Sequence, residues 1–460
     1  MSDKINRRNF LQKSAAIGAG LAAIPGATFA APAISKNGKP RSKLNIGVIG
    51  AGLRGQDHIA MLLNRSDCEV PAICDIDQGM VDSSLALYEK KGKPQPKVYG
   101  PGERDYLKLL EDESIDAVLI ATPWRWHSEM AVAAMKAGKY VGKEVCGAFS
   151  LDECWQLVNT HEETGTPLFF LENVCYRRDA MAVLNMVRQG LFGELIHLEC
   201  GYQHDLRGVK FNDGKTPYDS GVEFGEKGFS EARWRTLHSV HRNGHLYPTH
   251  GIGPVAQYIN INRGNRFLTL TSTASKARGL HEYILNHPRG GSDHPNANVE
   301  FRLGDVVTTV IKATNGESII ISHDTNLPRP YALGFRVQGT KGLWMDVNQS
   351  IYLEGQSPAH QWAPAQPYLD QYDHPLWKKY ASDAEGAGHG GMDWFLLNSF
   401  VQSGLSGAKP PIDVYDAATW MAITPLSEQS IALGSQPTAF PDFTRGRWTE
   451  WENRFGEGGY

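Results

Sequence analysis

No Cys-x-x-Cys pair and no Cys/His cluster at metal-ligand spacing occurs in this 460-residue chain, so the sequence offers no basis for a structural zinc or a redox dithiol, and no metal is expected. Its six cysteines, Cys68, Cys74, Cys146, Cys154, Cys175 and Cys200, fall in the first half, mostly within apolar segments. They are expected as buried thiols rather than disulfides. An excess of either charge is also missing. With 46 Lys and Arg against 50 Asp and Glu, a formal net charge of -4, the balance gives no footprint for nucleic acid. Apolar runs approaching about 20 residues are absent too, which argues against a membrane anchor. What the chain does have is length, enough for two domains and a large core.

The first residues read as a targeting segment. Arg7-Arg8-Asn9-Phe10-Leu11 precedes a short apolar stretch from Ala15 to Ile24, and small residues follow from Ala27 to Ala33. This order resembles a twin-arginine export signal over residues 1–33, which implies passage through the twin-arginine translocase and a periplasmic mature protein.

Behind a basic linker, Leu44 to Ile49 reads as a buried strand running into a glycine turn, and helical character follows from about His58 to Asn64. Further strands are expected at Val70–Cys74, Ala117–Ala121, Lys139–Glu144 and Thr166–Leu171, alternating with helical segments. The spacing predicts an α/β, doubly wound parallel sheet over 40–170. Beyond Glu194 the pattern changes to alternating stretches at Leu195–Tyr202, Phe267–Ser275, Val306–Ala313 and Glu317–His323. These predict an α+β domain over 171–460 with an open, mostly antiparallel sheet. Residues 207–228 and 355–391 read as loop, and 394–400 and 417–433 as helical. There is no internal repeat.

Gly50-Ala51-Gly52-Leu53-Arg54-Gly55 is a weak signal as a bare pattern, but its context decides it. It follows a strand, precedes a helix, and is answered by Asp75 at the end of the second strand, the place of a ribose-binding carboxylate. Glycines allow close approach of a diphosphate to a helix N-terminus, and the acid repels a 2′-phosphate, so NAD is expected rather than NADP. Trp124-Arg125-Trp126-His127 follows Thr122-Pro123 at the carboxyl edge of the same sheet, where cofactors bind.

Ala121-Thr122-Pro123, His127, the Gly138-Lys139 turn and Glu144, followed by a sheet domain, resemble the Gfo/Idh/MocA oxidoreductase superfamily. Its usual dehydrogenases carry Glu-Lys-Pro here, with the lysine assisting proton transfer. This chain has Glu144-Val145-Cys146, and valine cannot exchange protons. Three longer stretches, 142–148, 172–179 and 243–254, are similar to glycoside hydrolase family 109, the NAD-dependent α-N-acetylgalactosaminidases, and the similarity covers essentially the whole mature chain. It implies that Leu53, Arg54, Asp75, Trp124, His127, Glu144, Val145, Asn173 and Tyr247 join Gly50, Gly52 and Gly55 around NAD. It places Tyr202, Arg235, Tyr247, Pro248, Thr249, His250 and Tyr331 around the sugar. Flat rings suit sugar faces, and Arg, His and Tyr suit hydroxyls and an acetamide.

The expected activity is hydrolysis of terminal α-N-acetylgalactosamine without the usual carboxylate pair. Oxidation at C3 would acidify the C2 hydrogen, elimination would expel the C1 substituent, and water addition and reduction would complete the cycle with NAD recycled. His250 is expected as acid/base and Tyr202 as the C2 base, with Tyr331 and Arg235 positioning the sugar. The alternative is a periplasmic NAD-dependent sugar dehydrogenase or epimerase of the same superfamily, against which Val145 argues. A homo-oligomer is left open.

Overall fold

The computed structural model describes residues 42–457, and the expected leader lies outside them. The first sheet holds β1 (Leu44–Ile49), β2 (Cys68–Cys74), β3 (Lys97–Tyr99), β4 (Ala117–Ile120), β5 (Tyr140–Lys143) and β6 (Leu168–Phe170). All neighbours pair in parallel in the order β3-β2-β1-β4-β5-β6. That is the order of a doubly wound dinucleotide fold, whose strands are covered on both faces. All four residues of β4, Ala-Val-Leu-Ile, are accordingly buried. The strand order reverses between β1 and β4, so the crevice opens at their carboxyl ends, beside Gly50 and Ala121.

The helix α1 (Leu53–Leu62) begins directly after Gly52, five residues earlier than the helical pattern at His58 indicates. Its first turn lacks apolar periodicity and contains Gly55, a weak helix former. Packing makes that glycine necessary, since a Cβ at residue 55 would lie 1.9 Å from the Gly50 carbonyl oxygen. A second helix, α2 (Trp124–Lys136), starts behind Pro123 at the end of β4.

The second sheet contains β7 (Leu195–Gln203), β8 (Phe267–Ala274), β9 (Val306–Ala313) and β10 (Ser318–Asp324). It also contains β11 (Arg336–Gly339), β12 (Gly342–Met345), β13 (Ser350–Leu353), β14 (Ala363–Pro364) and β15 (Thr438–Ala439). The order is β14-β13-β12-β11-β7-β10-β9-β8-β15, antiparallel throughout except where β7 meets β10. The expected open, mostly antiparallel sheet is therefore present as a mixed sheet. Its strands alternate as a half-covered face requires: in β9, Val307, Thr309, Ile311 and Ala313 are buried, while Thr308, Val310 and Lys312 are exposed. Helix α3 (Thr249–Tyr258) lies against β7, where Gly251 comes so close that a Cβ would sit 2.7 Å from the Gly201 nitrogen.

The stretch 355–391 is not loop throughout. It carries helices at Gln366–Gln371 and Pro375–Ala384, the latter started by Pro375 and by the His374 side chain accepting from the Leu376 amide. Its Pro- and His-rich composition hid these short elements. Two later helices, α4 (Met392–Ser406) and α5 (Val414–Met421), return to the first sheet. Phe400 of α4 stacks on Tyr140 of β5 at 4.8 Å, over Gly142, where a Cβ would meet the Phe400 ring at 2.8 Å. Trp420 of α5 meets Phe170 of β6 edge-on at 6.0 Å. One continuous apolar core thus runs through both sheets. All six cysteines are buried and unpaired in it. Among the described residues no helix is long and apolar enough to cross a membrane, and no His/Cys/Asp/Glu group could hold a metal ion.

Candidate active site

A cavity of about 1250 Å³ extends from the carboxyl ends of β1, β2 and β4 to Tyr202 on β7 and His250 in the first turn of α3. That is more than a single small ligand needs, and room for a dinucleotide with a sugar beside it.

The dinucleotide end is built by backbone. Gly50 has φ +96° and lies so close to β4 that a Cβ would stand 2.6 Å from the Ala121 carbonyl carbon. At Gly52 a Cβ would meet nothing within 4 Å, so the turn leaves an open cradle at the N-terminus of α1, as a diphosphate requires. Asp75 lines the cavity, and its carboxylate also accepts from the Ala51 amide at 2.6 Å and the Asp77 amide at 2.9 Å, which fixes both turn and carboxylate. Burial nevertheless raises its pKa. His127 lines the wall with Nε2–H donating to the Thr122 carbonyl at 2.7 Å, and burial pushes its pKa down to about 3, so the ring stays neutral. Asn173 donates to Asp393 at 2.7 Å, leaving its buried carbonyl oxygen unpartnered in the cavity wall. An open cradle, a carboxylate at the ribose position and an orphaned amide oxygen fit a bound NAD.

Glu144 lines the same wall but has no capacity left for proton transfer. It accepts from Arg54 Nε at 2.6 Å, His58 Nε2 at 2.7 Å and the Val145 amide at 2.9 Å. Burial alone would raise its pKa, but Arg54 and His58 outweigh burial and hold it well below the usual carboxylate range. Val145 lines the cavity where the superfamily pattern has lysine. Lys143, two residues back, does not substitute. Its ammonium is buried in the core, bonded to the Glu144 and Cys146 carbonyls beside the Phe170 ring, and desolvation pushes its pKa down to about 7.

At the other end, rings and imidazoles converge. Tyr202 and Tyr247 stack at 4.3 Å, and Trp124 packs on Tyr247 at 5.4 Å, so a wall of aromatic faces lines this end of the cavity. The Arg235 guanidinium sits 5.0 Å from the Trp124 ring centre and 5.3 Å from that of Tyr247, and pairs with Glu231 at 3.1 Å. His250 is held at both ring nitrogens: Nδ1–H donates to Glu172 at 2.7 Å, and Nε2 meets the Tyr247 hydroxyl at 3.2 Å. Glu172 is fully buried, with its second carboxylate oxygen unpartnered. The Tyr202 hydroxyl lies 3.2 Å from His204 Nδ1. Burial lowers the His204 pKa and raises that of Tyr202, so the neutral ring accepts from the phenol.

Most of the expected site residues share this cavity, but four do not line it. Gly55 packs beneath the glycine turn. Pro248 and Thr249 are buried behind the wall, where they start α3 and so aim His250. Tyr331 stands half-exposed at the rim, its ring 4.9 Å from His204 and 6.4 Å from Tyr202. Three participants were not singled out by the sequence. His204 could have been found, because Tyr202 and His204 are two apart at a strand end and share a face. Glu172 and Asp393 carry no such local mark, since their partners lie 78 and 339 positions away in the chain.

A doubly wound dinucleotide domain and a sheet domain closing on one cavity define a two-domain, NAD-dependent enzyme. Residues 44–171 match the oxidoreductase family with an NAD-binding Rossmann fold, and residues 176–450 match the glycosyl hydrolase 109 C-terminal domain. The chain belongs to glycosyl hydrolase family 109. It is 56% identical over 451 residues to a glycosyl hydrolase family 109 protein of Stenotrophomonas maltophilia, covering 97% of each chain. With an α-N-acetylgalactosaminidase of Tannerella forsythia it shares 52% identity, covering 96% of this chain and 97% of that one. A levoglucosan dehydrogenase solved with NADH and L-sorbose has the same fold, with TM-score 0.62 and 19% identity over 87% of this chain and 100% of its own.

Proposed function

We propose that this glycoside hydrolase releases terminal α-N-acetylgalactosamine, using its NAD as an internal redox tool. The observation that carries the reading is the junction of two imidazole-phenol pairs, His250 with Tyr247 and His204 with Tyr202, against a cofactor wall that has Val145 in place of a lysine. Bound NAD supplies a reversible two-electron oxidation of a sugar alcohol carbon, and every other demand falls on protein groups. With Nδ1–H fixed on Glu172, Nε2 is the acceptor nitrogen of His250, and it exchanges its contact with the Tyr247 hydroxyl for the 3-hydroxyl, whose proton it takes and later returns. The Tyr202 hydroxyl removes the C2 hydrogen once C3 is a ketone, passing its own proton to His204 Nδ1. Arg235, flanked by two rings, orients the acetamide and hydroxyl oxygens. As the C2–H bond breaks, the C1–O bond to the aglycone breaks with it. The departing oxygen takes a proton from the water whose hydroxyl then adds at C1, Tyr202 returns the proton stored on His204 to C2, and His250 returns its proton to the 3-oxygen as the ketone is reduced.

Chromogenic α- and β-N-acetylgalactosaminides, the former also deuterated at C2, test this directly. The α substrate is expected to be hydrolysed without net NADH, and the sugar to exchange its C2 label with solvent. Product that keeps the whole label would rule out elimination, and net NADH would indicate a dehydrogenase.

The order Arg7-Arg8, Phe10-Leu11, apolar stretch and small residues supports export by the twin-arginine route to the periplasm. Replacing both arginines with lysine is expected to retain the precursor in the cytoplasmic fraction; undiminished periplasmic activity would refute this route.

A further inference from the structure

The cavity wall beside the glycine turn includes one side chain from far along the chain that neither the family pattern nor the proposed chemistry uses. His389 lines the cavity together with Gly50, Gly52, Leu53, Arg54 and Asp57. It is delivered by a strained loop: His389, Gly390 and Gly391 all have positive φ, 52°, 68° and 95°. A non-glycine residue in that region stores strain, a cost that proteins concentrate at functional sites. Gly388 is required as well, because a Cβ there would lie 2.7 Å from Asp393 Oδ2. The loop thus presses its backbone against Asp393 and projects the imidazole over it.

The charges around this ring settle what it can bind. Its Nδ1–H donates to Asp393 Oδ2 at 2.7 Å, and the side chain is 54% exposed, with no hydrogen bond at Nε2 among the described residues. Arg54, the cation nearest the glycine turn in sequence, is held between Glu144 at 2.6 Å and Asp393 at 2.8 Å, so two carboxylates compensate its charge. Asp57 lines the same cavity. An anion at the cradle would therefore meet the backbone amides of α1, and His389 Nε2 is a donor on the wall of the same cavity.

We propose that His389 is a cofactor-binding residue, donating from Nε2 to the diphosphate of NAD and thereby clasping the dinucleotide from the second domain. The inference rests on NAD occupying the glycine cradle. Facing the ring are the Asp393 carboxylate, the Arg54 guanidinium and Asp57; the hydrogen bond to Asp393 is the largest influence and raises the imidazole pKa. A cationic ring holds an anion more tightly, so the grip weakens as pH rises through the His389 pKa.

NAD binding to cofactor-stripped protein, followed by quenching of tryptophan fluorescence between pH 6 and 9, tests the proposal without any turnover. Wild type is expected to lose affinity as pH rises. His389→Ala is expected to bind NAD about tenfold or more weakly at the acid end, as loss of a charge-assisted hydrogen bond requires, and to approach wild type at the alkaline end. His389→Gln, which keeps a donor without the charge, is expected to fall between them with a flat pH profile, and it serves if the alanine variant does not fold. Equal affinity and an equal profile in the folded variants would overturn the proposal. Failure of wild type itself to bind NAD would instead overturn the cofactor reading on which it rests.

Discussion

Replacing His250 with alanine is expected to lower kcat/KM by about three orders of magnitude while the protein still retains NAD. Positioned proton transfer by a side chain is worth roughly 10²–10⁴ in rate, and His250 is the imidazole held at both nitrogens, by Glu172 and by Tyr247, in the wall of the cavity. Glu172→Gln should cost nearly as much, on the order of 10²–10⁴, although its side chain is fully buried and touches no substrate. The carboxylate sets the tautomer: as an acceptor from Nδ1–H it makes Nε2 the nitrogen that accepts, first from the Tyr247 hydroxyl and then from substrate. Glutamine can present its amide N–H to Nδ1 and reverse that arrangement. Initial rates on an α-N-acetylgalactosaminide, together with the NAD content of each purified variant, check this pair. A Glu172→Gln enzyme working at the wild-type rate would mean that His250 needs no orienting partner and that the assignment is wrong.

The second large effect concerns stability. Asp393 on α4 accepts from Arg54 on α1, from Asn173 behind β6 and from His389, and its side chain is 1% exposed. Burial would raise its pKa, but His389 and Arg54 outweigh burial and hold the carboxyl well below its usual range, as happens for Glu144 on the other side of Arg54. Asp393→Asn leaves Arg54, whose side chain is 25% exposed, with half its compensation, a loss of about 3 kcal/mol. The sign with pH follows. A carboxyl whose native pKa is depressed contributes stability above its unfolded pKa, near about 4, and loses it as pH falls toward the native value. The urea midpoint of the variant should thus lie well below that of wild type at neutral pH, with the gap narrowing as pH drops below about 4. A gap that did not narrow would place the effect in packing rather than charge.

Much of this was legible in the chain itself because the signals are local. The buried strand Leu44–Ile49, the glycines behind it and Asp75 some 20 residues on are one short unit, and the constraints of close backbone approach act within it. The change to alternating strands after Glu194 was legible for the same reason, since alternation is a property of neighbouring residues. Val145 could be read as a departure because it lies inside a contiguous motif. Local signals misled where composition masks period: helix α1 starts at Leu53 rather than near His58, and residues 355–391 hold two helices.

The amino-acid order by itself thus determined the doubly wound domain, its NAD, the sheet domain that follows, and the valine that stands at 145. It could not show that Glu144 is consumed by Arg54 and His58, that Lys143 turns into the core instead of replacing the missing lysine, or that Glu172 aims His250. Nor could it bring Asp393 and His389 to the glycine turn. Each of these depends on groups from separate elements meeting in a buried place, where the nearest charge decides which carboxylate is held ionised and which imidazole stays neutral. Only the fold sets those distances.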